Sequence, residues 1–373
     1  MRGTIVQRGA LYSVVVELDR DPVTGKRRRE WHSGYRTKRD AEAARVEILS
    51  RLQRGEYVAP DKLDVRGFLE DEWLPAVRAS LRPSTFESYE LNVERVASRI
   101  GSTRLQQLTP AALNRLYGEL GETLSASSVC YVHTVLRHAL GDAVKWNRLV
   151  RNPADAAEPP SAAAAKAPTM QTWTADELRR FLEHVRGDRL YAAWHTLATT
   201  GMRRGELLGL SWQAVDLDKG RLAITRTLIE GRREPRFSEP KTNRSRRSVA
   251  LDPETVAAVR AHRKAQAAEQ LAWGPAYQGQ GLVFCREDGT PIWPRTFSRT
   301  FALHAKAAGL PAIRLHDLRH THASLALAAG VHPKVVSERL GHSTVSITLD
   351  TYSHAIPAMQ EDAAAKVAAL IAD

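Results

Sequence analysis

A segment rich in proline and alanine, EPPSAAAAKAP at residues 158–168, restricts how this chain can fold. Its composition and its weak apolar periodicity are typical of a linker between domains. The chain has 373 residues, which is enough for two or three domains. We therefore expect separate domains on either side of this linker, the last of which occupies residues 169–373.

Residues 1–60 predict a small β unit followed by a helix. The segment LYSVVVELD has the alternation of a strand, and its apolar face comprises Tyr12, Val14, Val16 and Leu18. The turn DPVTGK and the segment RRREWHSGY predict a return strand. A helix is expected to begin after Thr37, with Asp40 completing a capping box, and to end at Gly55.

The basic run at this turn leaves two interpretations open. It comprises Lys26, Arg27, Arg28 and Arg29. These side chains could form a solvated hairpin tip. They could also belong to a two-stranded ribbon in a DNA groove, where they would contact phosphates and base edges.

The rest of the chain is predicted to be mostly helical. Residues 62–157 have the helix starts and stops of a bundle of four or five helices, with Pro83, Pro110 and Ser125 near the starts. Beyond the linker, Thr174 and Glu177 predict a capping box, and helices alternate with short strands. The expected strands are Arg221–Thr227, Arg246–Leu251 and Leu282–Phe284. The predicted fold class is mainly α with small β elements (α+β).

The composition favours a polyanionic partner. There are 54 Lys and Arg residues against 42 Asp and Glu, a net charge of +12, which suits nucleic acid. Cys130 and Cys285 are far apart and lack a CxxC neighbour, so neither a disulfide framework nor a thiolate zinc site is expected. The sequence has no apolar run of membrane-spanning length and no secretory signal, so we expect a soluble intracellular protein.

Four segments of the last domain carry reactive side chains. They are TTGMRRGELLGLSW with Arg203, KTNRSRRSVAL with Lys241, HDLRHTHASLALAAG with His316 and Arg319, and LGHSTVSITLDTYSHA with His342 and Tyr352. Each segment alone has an ordinary structural explanation, such as a solvated helix face, a turn lysine or a packed tyrosine. The combination is what indicates chemistry.

Together these side chains match the requirements of an attack on a phosphodiester. Two arginines can neutralise the phosphate with planar, bidentate contacts. A tyrosine hydroxyl, with a pKa of about 10, needs a base or a cationic site in order to attack at neutral pH. Histidine suits that proton transfer, and lysine can protonate a leaving oxygen. This chemistry needs no cofactor, and the sequence has no GxxxxGK[ST] loop.

A metal site is the alternative use of the histidines. His316 and His320 are four residues apart, which is a metal-ligand spacing. The HExxH arrangement is absent, and Arg319 on the same helical face would repel a cation. We therefore expect no metal.

In these segments the chain resembles the tyrosine recombinase (phage-type integrase) family. The resemblance covers about 200 residues at the C-terminal end, and order, spacing and local context all agree. The matching residues are Thr200-Gly201-Met202-Arg203 with Glu206, Lys241-Thr242, His316-Asp317-Leu318-Arg319, Leu340-Gly341-His342, and Tyr352 with His354.

The resemblance implies a role for each matching residue. Arg203 and Arg319 would clamp the scissile phosphate, and His342 would hydrogen-bond it. Tyr352 would be the nucleophile of a 3′-phosphotyrosine intermediate, with His316 helping to accept its proton. The general acid toward the 5′-hydroxyl would be Lys241. Glu206 would support the arginine helix, and Arg204 is rejected because only Arg203 follows Thr-Gly at the family's spacing.

The resemblance also explains the layout. Residues 1–60 resemble an arm-type DNA-binding domain, and residues 62–157 resemble the core-binding domain. The tail IPAMQEDAAAKVAALIAD spaces Met359, Ala363, Val367 and Leu370 along one helical face. That helix would dock on a neighbouring protomer or pack on its own domain.

The implied partners are DNA and further copies of the chain. The resemblance implies a homo-tetramer on double-stranded attachment sites, in the bacterial cytoplasm and associated with the nucleoid. It implies integration, and also excision, of a phage or mobile element. It leaves open an excisionase and a DNA-bending host factor as accessory partners.

Three alternatives remain open. A type IB topoisomerase uses a similar active site, although the arm-like unit and the tail helix favour recombination. A DNA-binding protein that has lost catalysis is disfavoured because all six catalytic positions are filled. A helical transcription regulator would have no need for Tyr352.

Overall fold

A computed structural model of the chain describes two compact units, Met1–Ala167 and Pro168–Asp373. The described residues are 3–18, 25, 28–54, 57–161, 163–165, 170–231, 234–238, 247–352, 368 and 371. Helices dominate both units and small antiparallel sheets accompany them, which confirms the predicted fold class.

The first unit begins with a three-stranded antiparallel sheet and one helix. The strands lie in the order β1 (Gly3–Arg8), β2 (Leu11–Leu18) and β3 (Arg28–Tyr35), followed by α1 (Lys38–Gln53). The sequence predicted only two strands, and it missed β1. This strand pairs with β2 through a two-residue turn in which Gly9 adopts a φ of 58°.

The predicted apolar face of β2 packs against α1 and forms the core of this N-terminal part. Val14 and Val16 pack against Ala41, and the Thr37 hydroxyl accepts a hydrogen bond from the Asp40 amide at 3.1 Å. Of the basic run, Arg29 pairs with Glu17 at 2.9 Å, and Lys26 and Arg27 lie outside the described residues. The predicted helix stop at Gly55 lies outside them too.

A separate helical bundle completes the first unit. Predicted starts are confirmed at Pro83, which follows Arg82, and at Thr109 and Ser125, whose hydroxyls cap the next helices. The bundle has its own apolar core, in which the Trp73 indole donates a hydrogen bond to Asp142 at 3.0 Å. Its α-helices are α2 (Leu74–Val77), α3 (Pro83–Ile100), α4 (Pro110–Gly121) and α5 (Ala126–Lys145), preceded by a π-helical segment, Gly67–Trp73.

The second unit packs helices around two small sheets. One sheet has the order β4 (Val215–Asp216), β5 (Arg221–Ile224) and β8 (Arg247–Ala250), and the other pairs β6 (Thr227–Ile229) with β7 (Arg236–Ser238). The helices are α6 (Ala175–His184), α7 (Tyr191–Thr200), α8 (Arg204–Leu208), α9 (Pro253–Trp273), α10 (Pro294–Ala307), α11 (Asp317–Ala328), α12 (Pro333–Leu340) and α13 (Val345–Tyr352).

Two of the expected strands of this unit differ in the structure. Leu282–Phe284 is not a strand, because only an isolated bridge joins Leu282 to Ser211. Its side chains are all buried in the domain core, and this burial explains why the segment is apolar throughout and was predicted as a strand. The predicted strand Arg221–Thr227 is divided between β5 and β6.

An aromatic cluster fixes the helices that carry the site. The Trp194 ring of α7 stacks on Phe297 of α10 at 4.2 Å between centroids, and Phe181 and Phe301 complete the contact between α6 and α10. The predicted capping box of Thr174 and Glu177 starts α6 and is confirmed. Helix α11 packs between α7 and α12, so the ends of these two helices meet its first turns.

Candidate active site

Arg319 lies at the centre of the candidate site. Its guanidinium donates hydrogen bonds to the carbonyl oxygens of Gly201, at 2.8 Å, and Leu340, at 2.7 Å. These carbonyls lie at the C-terminal ends of α7 and α12, where helix carbonyls lack intrahelical partners and attract cations. The Thr-Gly and Leu-Gly segments thus place two acceptors around one arginine.

Burial makes Arg319 an unusual cation. The residue is only 4% exposed. Burial, and then the nearby charge of Arg203, lowers the pKa of Arg319 to about 9, so it is still charged at neutral pH. The two carbonyls use two of the five guanidinium donors, and the others can serve an anion.

Glu206 connects Arg203 to a third arginine. The buried Glu206 carboxylate accepts hydrogen bonds from Arg203 Nη1 at 2.8 Å and from Arg247 Nη2 at 3.0 Å. Burial alone would raise the pKa of Glu206, but hydrogen bonds and charge from Arg247 and Arg203 outweigh burial and hold the pKa below its usual range. Arg203 Nη2 also lies 3.4 Å from the Gly341 carbonyl oxygen, next to the carbonyl that binds Arg319.

The neighbouring Arg204 points elsewhere. Its guanidinium donates to Ser298 Oγ at 2.7 Å and to the Pro294 carbonyl at 3.1 Å, both on α10. The Arg204 side chain thus contacts α10, whereas Arg203 contacts Glu206 and the Gly341 carbonyl.

Sequence reasoning missed Arg247. Its side chain is 7% exposed, and Nε donates to the Arg339 carbonyl at 2.6 Å. The strand alternation contained the signal, since Arg247 and the buried Val249 point to the same side of β8 while Ser248 and Ala250 are exposed.

Three histidines border the arginines. His316 starts α11, and the His320 ring contacts it edge to face at 5.1 Å between centroids. His342 follows the left-handed Gly341 that ends α12, and its Nδ1 lies 2.8 Å from the Thr348 hydroxyl. Burial, followed by the charge of Arg319, lowers the pKa of His316 and lowers that of His342 to about 4.

Tyr352 lies in the pocket of its own unit. It is the last residue of α13 and has no exposed surface. Its hydroxyl lies 2.7 Å from His320 Nδ1, and its ring is parallel to that of His342 at 6.5 Å between centroids. Burial raises the pKa of Tyr352 to about 12, against the opposing charge of Arg319. The apolar wall of the pocket consists of Ala323, Leu327, Val336 and Leu340.

The structure therefore brings five of the six predicted residues together. The sixth, Lys241, lies outside the described residues, as do His354 and nearly all of the predicted C-terminal helix. Among the residues that the structure describes, no three histidine, cysteine or carboxylate side chains are placed so that they could hold a metal ion. No described helix has the length and apolar character of a membrane span.

Comparison with known proteins identifies the family. Residues 171–359 match the phage integrase family, residues 4–52 an arm DNA-binding domain, and residues 68–121 the N-terminal SAM-like domain of phage integrases. A tyrosine recombinase XerC-like protein of Caldanaerobacter subterraneus is 32% identical over 94% of both chains.

The chain belongs to the phage integrase family. It is an integrase, a site-specific DNA recombinase, and the family and enzyme class predicted from the sequence are confirmed. The ICEBs1 integrase of Bacillus subtilis is 28% identical, and the match covers 95% of this chain and 96% of that protein.

Solved structures of integrases share the fold. The Tn1549 transposon integrase in complex with a circular intermediate DNA superposes with a TM-score of 0.64 at 20% identity, over 78% of this chain and 95% of that one. A lambda integrase tetramer bound to a Holliday junction superposes with a TM-score of 0.58 at 17% identity, over 93% of this chain and 94% of that one.

Proposed function

We propose that this integrase cleaves one DNA strand by attack of Tyr352 on the scissile phosphate, which gives a 3′-phosphotyrosine intermediate. The observation that carries the proposal is the meeting of two guanidinium groups beside the phenol. Arg319 and Arg203 are held by adjacent carbonyls at the end of α12, and Tyr352 lies in the same pocket. A phosphate between these cations would be neutralised as the attack develops.

The other predicted residues have distinct roles in this proposal. Lys241 protonates the 5′-oxygen that leaves, and His342 hydrogen-bonds the phosphate. His316, at the start of α11, helps to accept the tyrosine proton. Glu206 orients Arg203, which fits its two contacts to that residue. Because the phosphotyrosine keeps the energy of the broken bond, rejoining needs no ATP.

The assembly on DNA is part of the proposal. Residues 1–60 would contact arm-type DNA, residues 62–157 would close on the core site, and residues 169–373 would carry catalysis, joined by the linker 158–168. Four copies would exchange strands between two attachment sites, as the solved lambda integrase tetramer on a Holliday junction supports. We place the reaction in the bacterial cytoplasm, where an excisionase and a DNA-bending factor could assist excision.

Covalent trapping tests the proposal. A nicked suicide substrate built from the DNA that flanks the gene loses the short cleaved fragment, so the 3′-phosphotyrosine complex accumulates. We expect the wild type to form this complex and Tyr352→Phe to form none, at unchanged DNA affinity. Complex formation by Tyr352→Phe would contradict the choice of nucleophile.

Strand exchange separates the alternatives. Relaxation of supercoiled DNA without exchange between paired sites would favour a topoisomerase. Identical behaviour of wild type and Tyr352→Phe, with no covalent complex, would favour a DNA-binding protein without catalysis.

A further inference from the structure

The Tyr352 hydroxyl has a partner that the roles above do not include. His320 Nδ1 lies 2.7 Å from Tyr352 Oη, and the two ring centroids are 5.7 Å apart. This is the distance at which a side chain can take a proton from a reacting group. His316 lies one helical turn earlier and contacts the His320 ring rather than the hydroxyl.

The surroundings of His320 keep its ring neutral. Burial is the largest cause, and together with the charged groups it lowers the pKa of His320 to about 4. One nitrogen of a neutral imidazole carries no hydrogen, and in the tautomer with hydrogen on Nε2 it is Nδ1 that accepts the hydrogen bond of the phenol. Within the described part of the chain, titratable and charged groups face His320 from its own helix, the preceding loop, the α12–α13 turn and α13. They are His316, Asp317, Arg319, Arg314, His342 and Tyr352.

A bound phosphodiester would change this balance. The positive charges of Arg319 and Arg314 disfavour an imidazolium at His320, while Asp317 favours it. A phosphate anion between Arg203 and Arg319 would offset part of that positive charge. Binding of the substrate therefore makes His320 a better proton acceptor at the moment when cleavage begins.

We propose that His320 is the immediate proton acceptor of Tyr352 during strand cleavage and returns the proton during rejoining. The inference rests on the proposed function, since it requires Tyr352 to be the nucleophile. His316 would then help the proton transfer only indirectly, as a positioning residue whose ring contacts and supports the His320 ring.

The step is balanced without any co-reactant. The O–H bond of Tyr352 breaks as its oxygen bonds to phosphorus, and the proton moves to Nδ1 to give an imidazolium. The bond between phosphorus and the 5′-oxygen breaks, and that oxygen takes a proton from the general acid. In rejoining, the 5′-hydroxyl attacks phosphorus and gives its proton back to the deprotonated general acid. The bond between phosphorus and the phenol oxygen breaks, and the imidazolium returns its proton to that oxygen.

Single-turnover cleavage of the suicide substrate tests this role. In His320→Asn, the amide oxygen can still accept the hydrogen bond of Tyr352 but cannot hold its proton. We expect the cleavage rate to fall by about 10²–10⁴-fold. We also expect the rate to keep rising with pH, because hydroxide must replace the base, whereas the wild-type rate reaches a plateau above the pKa of the acceptor.

Chemical rescue provides a readout that a structural role would not change. Imidazole in the buffer should restore cleavage by His320→Ala, which leaves room for it, and not by His320→Asn. His316→Asn is the matched control, and we expect a smaller loss and a pH profile that still reaches a plateau. Circular dichroism and DNA affinity establish that each variant is folded and binds DNA. If a His320 variant does not fold or bind, His320→Gln is used in its place.

The outcomes separate this inference from the proposed function. If Tyr352→Phe forms no complex while His320→Asn cleaves at the wild-type rate with an unchanged pH profile, the inference is wrong and the nucleophile stands. A larger loss with a changed profile in His316→Asn alone would assign the proton to His316. Complex formation by Tyr352→Phe would overturn the proposed function instead.

Discussion

At the scale of single residues, the site holds more positive than negative charge. Glu206 is the buried carboxylate beside Arg203, Arg247 and Arg319. Among the residues that the structure describes, this one carboxylate faces three guanidinium groups, which favours binding of an anion, and Glu206 fixes the positions of two of them. A phosphodiester supplies the missing negative charge.

We predict that Glu206→Gln destabilises the second unit and weakens cleavage. The substitution removes the buried carboxylate that pairs with Arg247, and removing one partner of a buried ion pair costs about 3–5 kcal/mol. Urea unfolding at pH 7 measures the loss. Asp176→Asn is the matched control, because its pair with Arg179 is exposed and should change stability by less than about 1 kcal/mol.

The effect of Glu206 should depend on pH in one direction. Its pKa is lower in the folded protein than in the unfolded chain, so its stabilisation is fully present above the unfolded pKa. The stabilisation is lost as the pH falls through the folded pKa. We therefore expect the difference in unfolding free energy between wild type and Glu206→Gln to shrink in acid. A constant difference from pH 7 to pH 3 would contradict this assignment.

Sequence reasoning found the residues that a motif marks and missed those that only packing reveals. Arg203, Arg319 and Tyr352 stand in segments whose spacing is recognisable, and the structure places them together. His320 contacts Tyr352, and Arg247 contacts Glu206, which in both cases is a residue far away in the chain. Spacing along one segment cannot predict such contacts, so their partners remained unknown.

At the scale of elements, two helix ends build the site. Gly201 after α7 and Gly341 after α12 are left-handed, with φ of 63° and 71°, and each helix stops where its last carbonyls face an arginine. A Cβ on Gly201 would lie 2.7 Å from the His322 ring and from Leu340. The glycine thus allows both the turn and the close approach of α11.

We predict that Gly201→Ala reduces both stability and cleavage. Gly330→Ala is its matched control, because Gly330 has a φ of 81° but open space around its Cα. The left-handed conformation alone should cost Gly330→Ala about 1–2 kcal/mol. Gly201→Ala should cost about 1–3 kcal/mol more from overpacking, and it should displace the carbonyl that binds Arg319. Equal unfolding free energies of the two variants would count against this account.

Element types were easier to predict than strand limits. Capping residues such as Thr109 and Thr174 gave helix starts that the structure confirms, because the capping interaction is local. The prediction of a strand at Leu282–Phe284 was wrong, because a fully buried loop has the same apolar run as a buried strand. Strand β1 was missed because its residues do not alternate regularly between buried and exposed. It is recognisable as a strand only from its hydrogen-bonded pairing with β2.

At the scale of the whole molecule, the chain combines separate cores. The sheet with α1, the helical bundle and the second unit have apolar clusters that share no residue among those described. Tyr57 belongs with the sheet, because its hydroxyl lies 2.9 Å from His32 Nε2. The chain can therefore be cut after Tyr57 without opening the core of the bundle.

We predict that removing residues 1–57 preserves cleavage and weakens binding to flanking DNA. The remaining cores are intact, so the shortened chain should still form the covalent complex when enough protein is present to saturate the suicide substrate. A plot of log affinity against log salt concentration has a negative slope. Removing the sheet should make this slope shallower by about 0.9 for each phosphate that the sheet neutralises in the full chain. Titrations between 50 and 200 mM salt, with long flanking DNA and with the short core site, provide the comparison. An unchanged slope on the long DNA would show that the sheet does not bind phosphates. If the shortened chain folds but no longer cleaves, catalysis depends on residues 1–57.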